Sequence, residues 1–155
     1  MLSRRGFVGA AALGALGVPA HSLGQERPPP LDRDLVNDFV RAAHTDLPRT
    51  QELLAETPSL LNATWDWGGG DFETALGGAS HMGNQPIAEF LLSRGVRIDV
   101  FCAAMLGLTT VVEPILAAYP DAVSWKGPHG ISLLRHAEAG GQAELVALLT
   151  EKGAV

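Results

Sequence analysis

The 155-residue chain is long enough for one domain, and its 46% hydrophobic content supplies the apolar surface for a core. A net charge of −6 excludes a phosphate-binding basic surface, and 6% aromatic content leaves no stacking platform for bases. The single cysteine, Cys102, excludes an internal disulfide and a multi-cysteine metal site; within the apolar run Val100–Leu106 it reads as a small buried hydrophobe.

The chain opens on Ser3-Arg4-Arg5-Gly6-Phe7-Val8, which resembles a twin-arginine export signal, with Arg4 and Arg5 ahead of Phe7. The following stretch, Val8 to Val18, is weakly apolar and far shorter than the roughly twenty residues that cross a bilayer. Val18-Pro19-Ala20 offers small residues where a signal peptidase cuts, so residues 1–20 read as a signal peptide cleaved after Ala20. An ordinary secretory signal with two arginines, or an uncleaved anchor, is the alternative reading. The secretory readings place the protein outside the cytoplasm, and the twin-arginine reading places it in a bacterial periplasm. Removal of Arg4 and Arg5 with no acid leaves 9 basic and 17 acidic residues, hence a mature charge of −8. That balance disfavours anionic lipid surfaces and, with the signal gone, no stable membrane insertion is expected. Residues 21–31, with Pro28-Pro29-Pro30, read as an extended linker.

Four units follow, in residues 32–155. The first, 34–62, has a helical face of Leu35, Val36, Phe39, Val40 and Ala43, then Leu53-Leu54 in a second helix with Pro48 in its first turn. An insertion, Asn62 to Asp71, carries Trp65, Trp67 and Gly68-Gly69-Gly70 and reads as a hairpin or finger tip. The glycines lack the Lys-Ser/Thr of a phosphate loop.

The second unit, 72–99, is the clearest. Thr74-Ala75-Leu76 opens a short helix, Ala79 supplies a small residue, and Gly83 ends the helix where positive φ is needed. Ile87, Phe90 and Leu91 form the stripe of a second helix that stops at Gly95. This unit resembles an ankyrin repeat, with Thr74-Ala75-Leu76 standing at the Thr-Pro-Leu of that family. The fourth unit, 128–155, repeats its spacing in Ala137, Gly141, Leu145, Leu149 and Gly153. The third, 100–124, has Ala103, Gly107, Val111 and Ile115 at the same offsets. Gly83 and Gly107 are only 24 residues apart, against about 33 in the family, so the finger between units two and three is expected to be missing. The first unit, with Thr45 at the usual Gly position, reads as the divergent end cap of the stack. The predicted fold is all-α, an ankyrin-repeat solenoid of about four helix-turn-helix units.

No catalytic constellation stands out. His44, His81, His129 and His136 include no helical i, i+4 pair and have no acid beside them in a metal motif, so no metal site and no cofactor is predicted. Ser80 and His81 are neighbours that point apart, while Ser132 and His136 are four apart without a third group or oxyanion donors. The chain therefore does not read as an enzyme.

The resemblance implies a protein–protein interaction module that binds its partner through the concave ankyrin face. Trp65, Trp67 and Phe72 of the finger, His81-Met82 and Met105-Leu106 at the inner helix ends, and His129 at the rim are the expected partner-binding residues. Trp65 and Trp67 are equally suited to packing over the first inter-unit gap, and the two Met-Leu-type positions to inter-repeat packing. The alternative function is a periplasmic small-ligand or metal-binding protein using the Trp loop and the histidines; a small hydrolase stands behind it.

Overall fold

A computed structural model describes residues 28–155. The signal-peptide reading, with Arg4, Arg5, Phe7 and cleavage after Ala20, lies outside the described residues, as does 21–27 of the expected linker. Pro28–Pro30 are exposed coil, whereas Leu31 already packs against the first core.

Eight helices and one small hairpin follow. Helix α1 (Arg33–Thr45) begins where the Asp32 carboxylate accepts the Leu35 N–H at 3.0 Å. Helix α2 (Leu47–Glu56) begins at Asp46, which accepts from the Arg49 N–H, with Pro48 in the first turn. A 3₁₀ turn (Pro58–Asn62) leads into strands β1 (Thr64–Asp66) and β2 (Phe72–Thr74), antiparallel, with Trp65 opposite Glu73. Helices α3 (Ala75–His81), α4 (Gln85–Ser93), α5 (Val100–Met105), α6 (Thr109–Ala118), α7 (Leu133–Ala139) and α8 (Ala143–Glu151) complete the chain.

Each odd-numbered helix packs on the even-numbered helix after it, and α1, α3, α5 and α7 pack successively on one another. Ala79, Ala103 and Ala137 are fully buried in that row, where only a small side chain admits the neighbouring helix. Gly83, Gly107 and Gly141 follow at φ 67°, 70° and 71°, the left-handed conformation that ends each helix without a Cβ penalty. The first unit has no such glycine; Asp46 closes α1 and caps α2 instead.

The apolar interior falls into two clusters. Phe39, Val40, Leu53, Leu60, Leu76, Ile87, Leu91 and Met105 belong to the first, and Val112, Leu116, Leu133, Leu145 and Leu149 to the second. Cys102 is buried, and burial pushes its thiol up to about 11, as a small hydrophobe requires.

Residues 94–99, between α4 and α5, form no strand or 3₁₀ turn. By contrast, the hairpin precedes α3, and a turn (Pro128–Gly130) flanked by a Lys126–Ser132 bridge precedes α7. Without an intervening finger the turn before α7 reaches the second unit: a Cβ at Gly77 would lie 3.3 Å from the Pro128 ring. Among the described residues no helix is long and apolar enough to cross a membrane.

Candidate metal centre

The packing of three of the units brings together residues that are far apart in sequence. His44 stands in the last turn of α1, Glu73 on β2, His81 at the end of α3, and His129 in the turn before α7. One ligand-type atom from each lies within 4.8 Å of all the others. His44 Nε2 is 3.2 Å from His81 Nε2 and 3.4 Å from Glu73 Oε2. His81 Nε2 is 2.9 Å from Glu73 Oε1, and His129 Nε2 is 3.5 Å from Glu73 Oε2. A zinc ion about 2.0–2.1 Å from four ligands would set its ligands roughly 3.3 Å apart, close to these four separations, which draw on both Glu73 oxygens.

Hydrogen bonds outside the cluster fix which atoms face inward. His44 Nδ1 donates to the Val40 carbonyl one turn back, at 2.9 Å, so its neutral ring turns a lone pair on Nε2 toward the centre. His129 Nδ1 donates to Asp71 at 2.7 Å, with the same consequence for its Nε2. Trp67 Nε1 donates to Glu73 Oε2 at 2.7 Å. His81 lies close to Glu73 Oε1 but out of line for a hydrogen bond, which leaves that buried oxygen without a partner. A buried acceptor without a donor is costly, and a cation relieves the cost.

Glu73 is 1% exposed. Burial alone would raise its carboxyl, but His81, the Trp67 donor and His44 outweigh burial and hold it below the ordinary carboxylate range. The carboxylate is thus ionised, as a ligand must be. Trp67 borders the cluster, with its ring 6.4 Å from His44 and 5.8 Å from His129, and the Arg41 guanidinium lies over the Trp67 ring, 4.7 Å from its centre.

The expectation that no acid joins the histidines is corrected here. Spacing arguments examine neighbours in sequence, whereas Glu73 meets His44 and His129 only through the packing of separate units. His136 stays apart. It is buried beside Phe101, its Nδ1 donates to the Ser132 carbonyl, and its Nε2 has no partner.

The expected contact residues separate into three groups. Trp67, His81 and His129 gather at the cluster; Trp65 is half-buried, edge-on to Trp67 and beneath Arg33. Phe72 and Met82 are 60% and 50% exposed. Met105, expected on the concave face, is instead fully buried, because short α5 turns its last side chain into the first core; Leu106 beside it is half-buried against the same core. The paired apolar patch of Met82 and Met105 therefore does not form.

In neither serine–histidine pair does the hydroxyl hydrogen-bond the imidazole. The Ser80 hydroxyl is buried and donates to the Leu76 carbonyl, and the Ser132 hydroxyl caps α7 while His136 bonds the Ser132 carbonyl. No protein-family model matches this chain, and a search of curated proteins finds no match.

Proposed function

We propose that the protein is an exported helical-repeat protein of the ankyrin type that binds one divalent transition-metal ion between His44, Glu73, His81 and His129. The ankyrin reading is supported by the buried alanines at 79, 103 and 137 and the left-handed glycines four residues after each. The twin-arginine-like start of the chain supports export to a bacterial periplasm.

One observation carries the metal reading. Three imidazole nitrogens converge on a buried carboxylate, two of them with the other ring nitrogen already committed as a donor. Without a cation the two lone pairs face the carboxylate, and His81, with Nε2 3.2 Å from His44 Nε2, is the one imidazole of the three free to donate among them. Imidazole and carboxylate together suit zinc, nickel, copper or ferrous iron over calcium or magnesium, which take oxygen ligands. Binding, not turnover, is the assigned role.

Titrating the full chain, free of any polyhistidine tag, with zinc against a competing chelator tests this. One equivalent should bind, and the melting temperature should rise by mass action, about 2.7 kcal/mol of stability at a hundredfold excess over Kd. Glu73→Gln should abolish the rise while the apo protein stays folded. Absence of stoichiometric binding, or equal binding by Glu73→Gln, overturns the proposal.

A second reading, capture of a partner protein, is favoured by the exposed Phe72 and Met82. It predicts a captured protein that is lost with Phe72→Ala and Met82→Asp in zinc-free conditions as well as with zinc.

A further inference from the structure

The Trp- and Gly-rich hairpin contributes one ligand, Glu73, yet far more of its structure than that strand is ordered around the cluster. We infer that residues 64–74, apart from the ligand Glu73, are the outer shell of the metal centre, with Asp71 and Trp67 as the residues that position His129 and Glu73. The inference rests on the metal reading above.

Asp71 holds His129 at two points. Its Oδ1 accepts the His129 backbone N–H at 2.8 Å and its Oδ2 accepts from Nδ1 at 2.7 Å. This double grip spans 58 residues of sequence. His129 is the only non-glycine with positive φ among the described residues, at 58°. Such a conformation costs on the order of 1 kcal/mol, and here Asp71 supplies the contacts that offset it. The grip settles three things at once: the backbone conformation of the turn, the direction of the ring, and the tautomer that leaves Nε2 free.

Asp71 is in turn fixed by the loop. The Trp67 N–H donates to the Asp71 carbonyl, and the Asp71 N–H donates to the Gly68 carbonyl. Asp66 Oδ1 accepts from both the Gly68 and Gly70 N–H groups. Gly68, Gly69 and Gly70 all have positive φ, a conformation that glycine adopts without a Cβ penalty, which accounts for the run of three. The same loop directs Trp67 so that Nε1 reaches Glu73 Oε2. One finger therefore places a donor on the ligating carboxylate and a carboxylate on a ligating imidazole. These are the two outer-shell contacts that orient ligands and raise imidazole basicity, and losing one lowers affinity by about 10–100-fold.

The test measures cobalt binding by absorbance, with zinc competition for affinity, on wild type, Asp71→Asn, Trp67→Phe, His129→Ala and the pair Asp71→Asn with His129→Ala. Asp71→Asn and Trp67→Phe should each weaken binding about 10–100-fold with all four ligands retained. Asp71→Asn should add nothing in the His129→Ala background, because Asp71 acts through that ring. At saturating cobalt its ligand-field band should shift, which a change in fold stability alone would not cause. Wild-type affinity for Asp71→Asn, or equal weakening with and without His129, overturns the outer-shell role while the metal reading stands. If His129→Ala binds too weakly for the comparison, an unshifted cobalt band in Asp71→Asn overturns it. A wild type that takes up neither ion removes the metal reading and this inference together.

Discussion

The Gln142 amide donates 3.0 Å to the carbonyl of Met105, joining the last unit to the end of α5 in the unit before it. Asn84 makes the equivalent bond two units earlier, 3.2 Å to the carbonyl of His44. In both cases the residue that starts an even-numbered helix satisfies a carbonyl left open at the end of the preceding unit's odd-numbered helix. Gln142→Ala should therefore cost about 1 kcal/mol in urea unfolding. Asn84→Ala should cost somewhat more, since Asn84 also caps α4 through the Ile87 N–H. Equal stability of both variants to wild type would show these bonds to be incidental.

Glycines of two kinds should respond differently to alanine. Gly140 has ordinary φ, but a Cβ there would lie 1.8 Å from the Met105 carbonyl oxygen, so α5 and α7 must separate. Gly95 has φ 87° and open space around it, leaving only the conformational penalty. Gly140→Ala should cost about 3 kcal/mol and Gly95→Ala about 1 kcal/mol, read from the urea midpoint at constant slope. The reverse order would mean that the close approach of α5 and α7 is absent in solution.

Single aspartates at the two methionines separate core from surface. Met105→Asp removes a fully buried side chain and places a charge where no partner exists, which should cost several kcal/mol and unfold much of the protein at room temperature. Met82→Asp, at a half-exposed position, should change stability by about 0.5 kcal/mol or less. Circular dichroism melts of the two variants make the comparison.

His136 should make the protein labile to acid. Burial disfavours its charged form and lowers its folded pKa from the ordinary 6.5. The unfolded chain then takes up a proton near pH 6.5 that the folded chain refuses, so stability rises with pH and is lost as pH falls through that value. His136→Leu removes the group, and the Ser132 carbonyl keeps the backbone N–H of position 136 as a donor. Stability measured from pH 7.5 to 5 should fall less steeply in His136→Leu than in wild type. Parallel curves would place the acid sensitivity elsewhere.

Much of the helical arrangement was written locally. Short-range rules suffice for the caps of Asp32, Asp46 and Thr74, for the left-handed stops at Gly83, Gly107 and Gly141, and for the alanines that let helices approach. The 24-residue interval from Gly83 to Gly107 likewise announced that residues 94–99 hold no hairpin. The caps, stops and alanines depend on residues within one or two turns of one another, and the interval only on counting along the chain.

The environment of Met105 and the candidate centre were decided at longer range. Met105 resembled an exposed helix end in sequence, but short α5 turns its side chain into the first core. His44, Glu73, His81 and His129 share no spacing, because they come from three units whose mutual distance depends on how tightly the units stack. The best available sign was the cost of building Trp65 to Asp71, an insertion with two tryptophans and three consecutive glycines, without a purpose visible nearby. By itself the sequence determined helices and turns, since their energetics are local. Only tertiary packing set a carboxylate among three imidazoles, because the electrostatics that make a metal centre depend on distances in space, not along the chain.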